Sequence, residues 1–229
     1  MSSAKFHRLT FTTILGCATF LFEFSGCSSR SPQSETPVAN SPVANSPVAN
    51  STGGESPTAA LYDRGLQLTK RGSYAEALAA FERVLNDEPN NGDALRNRGV
   101  CLAKLGHHER ALLDLNRALE INEEDAPAYY NRGFVHDEMG DYQKAVKDFC
   151  CVIKLQPDLQ MGYMSRGLSW KKSGKLDYAL ADFDKAIELD NTVGMAYALR
   201  SEVHQEKGDP LQASEDRRRA LLLDPGLKE

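Results

Sequence analysis

Apolar and polar positions repeat along most of the chain in blocks of 34 residues, the first of which begins at Thr58. Each block contains two segments in which apolar residues recur at helical spacing, which predicts two amphipathic helices. Gly167 and Trp170 show this spacing in a first segment, and Phe183 and Ala186 show it in the second segment of the same block. The pattern predicts five helix pairs, in blocks that span residues 58–91, 92–125, 126–159, 160–193 and 194–227.

Three small-residue positions keep the same period. The first ladder lies in the first helix of each pair, the second in the turn and the third in the second helix. The ladders are Gly65, Gly99, Gly133, Gly167 and Ser201; Gly72, Gly106, Gly140, Gly174 and Gly208; and Ala77, Ala111, Ala145, Ala179 and Ala213. A period of this length indicates a repeat array, in which each helix pair buries its apolar face against its neighbours.

These ladders, with Phe81, Leu115, Phe149 and Phe183 between them, resemble the tetratricopeptide repeat family over residues 58–227. The resemblance implies an all-α, right-handed α-solenoid of five 34-residue repeats. It also implies that the first helices line a concave groove, which binds an extended or helical segment of another protein. The groove residues that it implies are Tyr62, Leu66, Arg96, Asn97, Tyr130, Asn131, Phe134, Met164 and Leu168.

Two features narrow this expectation. Family members that clamp chaperone carboxylates need an asparagine where this chain has Leu66, Val100, Phe134 and Leu168, so that activity is not predicted. Some apolar groove residues have a second interpretation, in which they pack against neighbouring helices. For Val100 and Leu168 both interpretations stay open, and Tyr130 and Phe134 are the preferred ligand contacts.

A charged ladder accompanies the small residues. Arginine occupies one position in all five blocks, and aspartate occupies a second-helix position in four of them, with Ala80 in the first block. The residues are Arg64, Arg98, Arg132, Arg166 and Arg200, with Asp114, Asp148, Asp182 and Asp216. We expect an arginine–aspartate pair within each of those four repeats, which would fix helix register. The alternative is an arginine stripe that binds phosphate or carboxylate groups.

The residue types typical of catalysis or metal binding do not form a known motif here. His107 and His108 lie at a predicted turn, where histidines are usually solvated, and His136 lies in the packing register. Arg217 replaces the packing aromatic in the last block, which is typical of a soluble terminal repeat, with anion binding as the alternative. No phosphate loop, nucleophile elbow or zinc-binding helix is present in the sequence. The sequence therefore predicts a non-catalytic protein with no cofactor and no metal, and an enzyme is a distant third interpretation.

Residues 1–27 have the layout of a secretory signal, with a short basic start and an apolar stretch from Leu9 to Phe24. Small residues before Cys27 and serines after it resemble the lipobox of bacterial lipoproteins, which implies that Cys27 is lipidated. A weaker lipobox-like string ends at Cys17. A signal cleaved near Gly26 without lipidation, or a retained N-terminal anchor, are the alternatives. Residues 28–57 contain Pro-Val-Ala-Asn-Ser three times and predict a disordered tether, or else an unselected low-complexity insertion.

Composition adds only exclusions. The net charge of −5 makes nucleic acid an unexpected partner, and the five cysteines lack the spacing of a zinc site or a disulfide framework. The expected protein is an adaptor in the cell envelope, lipid-anchored on the periplasmic face of the outer membrane if the cell is Gram-negative. The alternative is a scaffold without lipid that is secreted or cytoplasmic.

Overall fold

The computed structural model describes residues 56–227, which form ten α-helices and no strand. The helices are α1 (Pro57–Lys70), α2 (Tyr74–Asp87), α3 (Gly92–Lys104), α4 (His108–Ile121), α5 (Ala126–Glu138), α6 (Tyr142–Leu155), α7 (Gln160–Lys172), α8 (Leu176–Leu189), α9 (Gly194–Lys207) and α10 (Pro210–Leu223). The predicted fold class, an all-α solenoid of helix pairs, is confirmed. The predicted signal and nearly all of the predicted tether lie outside the described residues, and Pro57, predicted as the last tether residue, already belongs to α1.

Helix packing gives the array an inner and an outer layer. Each odd-numbered helix packs against the even-numbered helix that follows it, and each even-numbered helix packs against the next odd-numbered one. The backbones of successive odd-numbered helices also approach each other, whereas those of the even-numbered helices within residues 56–227 lie farther apart, and α2 and α4 meet through the ion pair of Arg110 with Glu82 at 4.0 Å. The odd-numbered helices therefore form the shorter, concave side of the array.

The glycine ladder sets how closely the two helices of a pair approach. A Cβ atom added to Gly133 would lie 2.9 Å from the ring of Phe149, and one added to Gly167 would lie 2.9 Å from the ring of Phe183. Both rings are almost completely buried. The aromatic ring thus occupies the volume that a side chain on the first helix would need, which explains why glycine recurs there.

The last pair replaces both members of this contact. Ser201 stands at the glycine position and Arg217 at the aromatic one. The Ser201 hydroxyl is buried and donates to the carbonyl oxygen of Ala213 at 2.7 Å, while Arg217 is exposed. Because Arg217 leaves the space between α9 and α10, a side chain fits at residue 201.

A positive φ marks the turn inside every helix pair, whereas side-chain caps differ among the even-numbered helices. Each turn glycine has a positive φ, as at Gly140 (+81°), which is a conformation that residues with a Cβ atom rarely adopt. The Asp209 side chain caps α10 by accepting from the backbone of Gln212. Asp141 precedes α6 but does not cap it, because its carboxylate binds Lys144 at 2.6 Å. Helix starts at even-numbered helices are therefore marked more by the turn than by side-chain caps.

A membrane span requires a helix of sufficient length and hydropathy. Within residues 56–227, no helix is both long and apolar enough to cross a bilayer.

Candidate partner-binding groove

The concave side carries a row of apolar side chains at one repeat position. We name it the apolar row; it consists of Leu66, Val100, Phe134 and Leu168. All four are partly exposed, although they lie on the inner helices α1, α3, α5 and α7. The amine of Lys104 lies 5.0 Å from the centre of the Phe134 ring and forms a cation–π contact with it. A positive charge therefore borders the middle of the apolar row.

The apolar row ends at the fifth repeat. Glu202 occupies the next position and forms an ion pair with Lys171, which also approaches Glu206 at 3.2 Å. An apolar ligand group placed there would face charged atoms, which disfavours its binding. The apolar surface therefore spans four repeats and is closed at the C-terminal end by charge.

A second row of inner-helix residues lies beside the first and consists of Tyr62, Arg96, Tyr130 and Met164. Contacts within the protein hold the first three of these side chains. Asn97 donates to the Tyr62 hydroxyl at 2.9 Å, and Ser165 donates to the Tyr130 hydroxyl at 3.2 Å. Burial, together with the nearby carboxylate of Asp93, raises the pKa of Tyr62 to about 12. Both tyrosine hydroxyls therefore accept a hydrogen bond from the following repeat. The ring of Tyr62 packs on Phe81, and that of Tyr130 packs on Phe149.

Arg96 stands in this second row between the two tyrosines. Its guanidinium group binds Asp93 at 2.7 Å and Asp125 at the start of α5. Burial lowers the pKa of Arg96, but the carboxylates of Asp125 and Asp93 outweigh that effect and the net shift is upward. This arginine is engaged in holding α3 to α5 and is only partly exposed.

The structure separates the predicted groove residues into three groups. Met164 is buried, with 6% of its surface exposed, so it offers a ligand little area and the expectation of a groove contact needs correction there. Tyr62, Tyr130, Arg96 and Asn97 are partly exposed but hydrogen-bonded within the protein. Leu66, Phe134 and Leu168 offer apolar surface, and Asn131 is partly exposed with no hydrogen-bond partner in the described range.

The arginine–aspartate ladder lies between the layers. Arg132 binds Asp148 through two hydrogen bonds of 2.9 and 2.6 Å, and Arg98, Arg166 and Arg200 bind Asp114, Asp182 and Asp216 in the same way. The carboxylate bonds are the leading cause that raises the pKa of each of these guanidinium groups. The guanidinium groups of these four repeats are therefore occupied within their own repeats.

Sequence reasoning missed a further contact of the same arginines. The remaining nitrogen of Arg132 donates to Asn116, and that of Arg200 donates to Asp184, in each case on the even-numbered helix of the preceding repeat. Arg166 contacts the Cys150 sulfur in the same manner, at 3.2 Å. The partner always lies 16 residues before the arginine, but its residue type changes from repeat to repeat, so no recurring residue marks it in the sequence.

The polar groups near the groove do not form a reactive arrangement. Ser169 donates to Asp137 at 2.8 Å and Lys172 binds the same carboxylate, but Ser169 is completely buried. His136 has a buried Nδ1 that lies 4.0 Å from Asp141, which is too far for a hydrogen bond. Among residues 56–227, no cluster of three or more His, Cys, Asp or Glu is placed to hold a metal ion.

This architecture defines the class of protein. Residues 56–227 form a helical repeat array with an inner surface that carries apolar and amide groups. Profiles of the tetratricopeptide repeat family match residues 62–129 and 126–159. The chain is a tetratricopeptide repeat protein.

Solved structures show the same fold. MamA 41-end from Desulfovibrio magneticus RS-1 is 23% identical, with a TM-score of 0.68 over 76% of this chain and 99% of that chain. Another crystal structure of MamA is 24% identical, with a TM-score of 0.64 over 70% of this chain and 94% of that chain. YrrB, described as a TPR protein with an unusual peptide-binding site, is 18% identical, with a TM-score of 0.61 over 73% and 86%.

No curated protein matches the sequence. At these identities the solved structures show the fold alone. A tetratricopeptide fold is typical of non-catalytic scaffolds, and the match to this family supports a protein-interaction scaffold.

Proposed function

We propose that the protein is a non-catalytic adaptor whose concave side binds a segment of another protein. The apolar row carries this proposal, because four large apolar side chains stay partly exposed at equivalent positions on adjacent helices. Apolar side chains that stay partly exposed in a row are common at interaction surfaces. Membership of the tetratricopeptide family supports the same function.

The chemistry of the surface describes the ligand. Leu66, Val100, Phe134 and Leu168 suit an extended or helical segment with aliphatic or aromatic anchors. The partly exposed amide of Asn131 can hydrogen-bond to the backbone of such a segment. The segment ends before the fifth repeat, because the Lys171–Glu202 ion pair closes the row.

We also propose that a lipid on Cys27 anchors the adaptor in the cell envelope, on the periplasmic face of the outer membrane if the cell is Gram-negative. Support comes from the lipobox-like string before Cys27 and from the serine after it. Cys27 lies outside the described residues. Mass spectrometry of the mature N-terminus tests the anchor: a diacylglycerol-modified Cys27 supports it. An intact Met1, or a cleaved and unmodified N-terminus, leaves a scaffold without lipid and overturns it.

A pull-down from cell-envelope extract tests the groove. The variant is Phe134→Glu/Leu168→Glu, which places two charges in the apolar row. Tyr130→Glu is a poorer choice, since the Tyr130 ring packs on Phe149 and its hydroxyl is bonded to Ser165. Leu113→Glu is the matched control, because Leu113 is 69% exposed on the outer helix α4. Circular dichroism must show equal helix content in all three proteins.

The comparison between variants decides the result. A partner that is captured by the unmodified chain and by Leu113→Glu, but not by the double variant, supports groove binding. Equal capture by all three proteins moves binding away from the apolar row and contradicts the proposal.

A further inference from the structure

The first helix presents an unfinished copy of the joint that connects successive repeats. At each internal joint, an odd-numbered helix receives the preceding even-numbered helix on a face that contains a small residue. Ala94, Ala128 and Ala196 occupy that small-residue position and are completely buried. In α1 the equivalent residue is Ala60, and it is exposed.

Apolar side chains complete each internal joint. At the joint between α2 and α3, Val84 and Leu85 pack with Ala94 and Leu95 in one buried cluster. Further along the same joint, Leu102 of α3 packs near Leu78 of α2. The corresponding residues of α1 are Leu61 and Leu68, which are only partly buried. We name Ala60, Leu61, Arg64 and Leu68 the N-terminal end face.

Arg64 makes this face chemically distinct. In four repeats the ladder arginine binds an aspartate of its own repeat, but Arg64 faces Ala80 at that position. Its second acceptor would be a residue of a preceding helix, as Asp184 is for Arg200 at 2.6 Å. Arg64 is exposed and makes no hydrogen bond or ion pair within residues 56–227. Both acceptor positions of this guanidinium group are therefore open.

We propose that the N-terminal end face docks an acidic amphipathic helix of a partner protein, which takes the place of a preceding even-numbered helix. The partner helix carries an apolar residue, a carboxylate four residues later, and two further apolar residues six and seven positions after the first. Leu78, Glu82, Val84 and Leu85 of α2 show this spacing at an internal joint. The carboxylate binds Arg64, and the apolar residues cover Ala60, Leu61 and Leu68.

Charge argues against a second copy of the chain as the occupant. Head-to-tail stacking would bring α10 onto this face, and Ser214 and Arg218 stand in α10 where α8 has Leu180 and Asp184. Arg218 would then lie against Arg64, and like charges at an interface disfavour the pairing. Because of Arg218, α10 of one copy is poorly suited to bind the N-terminal end face of another copy.

NMR titration of the ¹⁵N-labelled full chain tests the proposal. The probe is a synthetic peptide of residues 174–191, which contains α8 with Leu180, Asp184, Ala186 and Ile187. This helix already binds an equivalent face, that of α9. Isolated helices of this length are marginally stable, so binding is weak, and chemical-shift mapping is suited to weak binding. The expected result is a set of shifts at Ala60, Leu61, Arg64 and Leu68.

Two matched changes test the role of charge. The peptide variant Asp184→Asn removes the carboxylate, and we expect it to weaken binding on the order of tenfold. The chain variant Ala80→Asp supplies Arg64 with the aspartate that the other repeats have. We expect Ala80→Asp to raise the melting temperature and to weaken peptide binding by a similar factor, because Arg64 is then engaged internally.

Three outcomes of these titrations overturn the proposal, and a fourth comes from the groove variant. These are the absence of shifts at the end face, equal binding of the Asp184→Asn peptide, and an Ala80→Asp chain that is more stable but binds unchanged. The Phe134→Glu/Leu168→Glu variant separates this site from the groove, because binding at the end face persists in it. Loss of binding in that variant would place the peptide in the groove and would also overturn the end-face proposal.

Discussion

Arg132 and Asp148 form a bidentate ion pair that joins the two helices of the third repeat, with bonds of 2.9 and 2.6 Å. The side chain of Asp148 is 6% exposed and that of Arg132 is 22% exposed. The same arginine donates to Asn116 in the second repeat. One guanidinium group therefore holds both the helix pair and the joint between repeats.

Replacing Asp148 by Asn should destabilise the protein by about 2 kcal/mol, because Arg132 then loses a charged acceptor in a partly buried place. Urea unfolding followed by circular dichroism measures this change. Lys147→Ala, at the exposed neighbouring residue of the same helix, is the control and should change the free energy of unfolding by less than about 0.5 kcal/mol. Equal effects of the two substitutions would contradict a structural role for the pair.

An alanine at residue 133 should cost about 1–3 kcal/mol, because its Cβ atom would lie 2.9 Å from the fully packed Phe149 ring. The matched substitution is Ser201→Ala, which places the same residue at the equivalent position of the last repeat. Phenylalanine is replaced there by the exposed Arg217, so we expect a cost of only about 1 kcal/mol from the lost hydroxyl bond to Ala213. Thermal unfolding of both variants checks the order, and a Gly133→Ala protein as stable as Ser201→Ala would refute the close-approach argument.

The glycine, alanine and aromatic ladders predicted the helix pairs, because residues with one steric task recur at one spacing. The groove was harder to predict. Met164 and Tyr130 share a repeat position, yet Met164 is buried, and the partial exposure of each side chain depends on its neighbours in the next repeat. The bonds from Asn97 to Tyr62 and from Ser165 to Tyr130 both join residues 35 apart, but the donor differs in type between the two.

The contacts of the arginine ladder with the preceding repeat could not be predicted from the sequence for a related reason. The acceptors that meet the arginine ladder from the preceding helix are Asn116, Cys150 and Asp184, which share position but not chemistry. Sequence patterns detect positions at which residue type recurs. They are poor at detecting a position at which different residue types accept a hydrogen bond from the same donor.

Cysteine reactivity should follow burial. Cys101 is completely buried beside Thr69, and burial raises the pKa of its thiol. Cys150 is exposed. We expect iodoacetamide to alkylate Cys150 first and Cys101 on the order of 100-fold more slowly, at the rate at which the repeat opens.

Peptide mapping by mass spectrometry assigns each modified thiol and separates these residues from Cys17 and Cys27. In urea above the unfolding midpoint, Cys101 and Cys150 should react at similar rates, which serves as the control. Native-state alkylation of Cys101 as fast as that of Cys150 would show that the second repeat opens freely, contrary to its packing.

His136 should make stability depend on pH. Burial is the main cause that lowers the pKa of His136 below its ordinary value, and Lys144 and Arg132 lower it further while Asp148 and Asp141 oppose them. The folded protein thus favours the neutral imidazole, and below about pH 6.5 the unfolded chain binds the proton more readily. The contribution of His136 is present above that pH and is lost as pH falls through the lower pKa of the folded state.

Replacing His136 by Leu, the residue at the equivalent position 102, should remove this contribution, since leucine does not titrate. Urea unfolding at several values between pH 5 and pH 8 measures the free energy of unfolding of both proteins. The unmodified chain should lose more stability than His136→Leu over the acidic half of this range. His107→Gln, at an exposed residue before α4, is the control and should keep the pH dependence of the unmodified chain. Parallel curves for the unmodified chain and His136→Leu would mean that the half-buried imidazole accepts a proton in the folded state as easily as in the unfolded one.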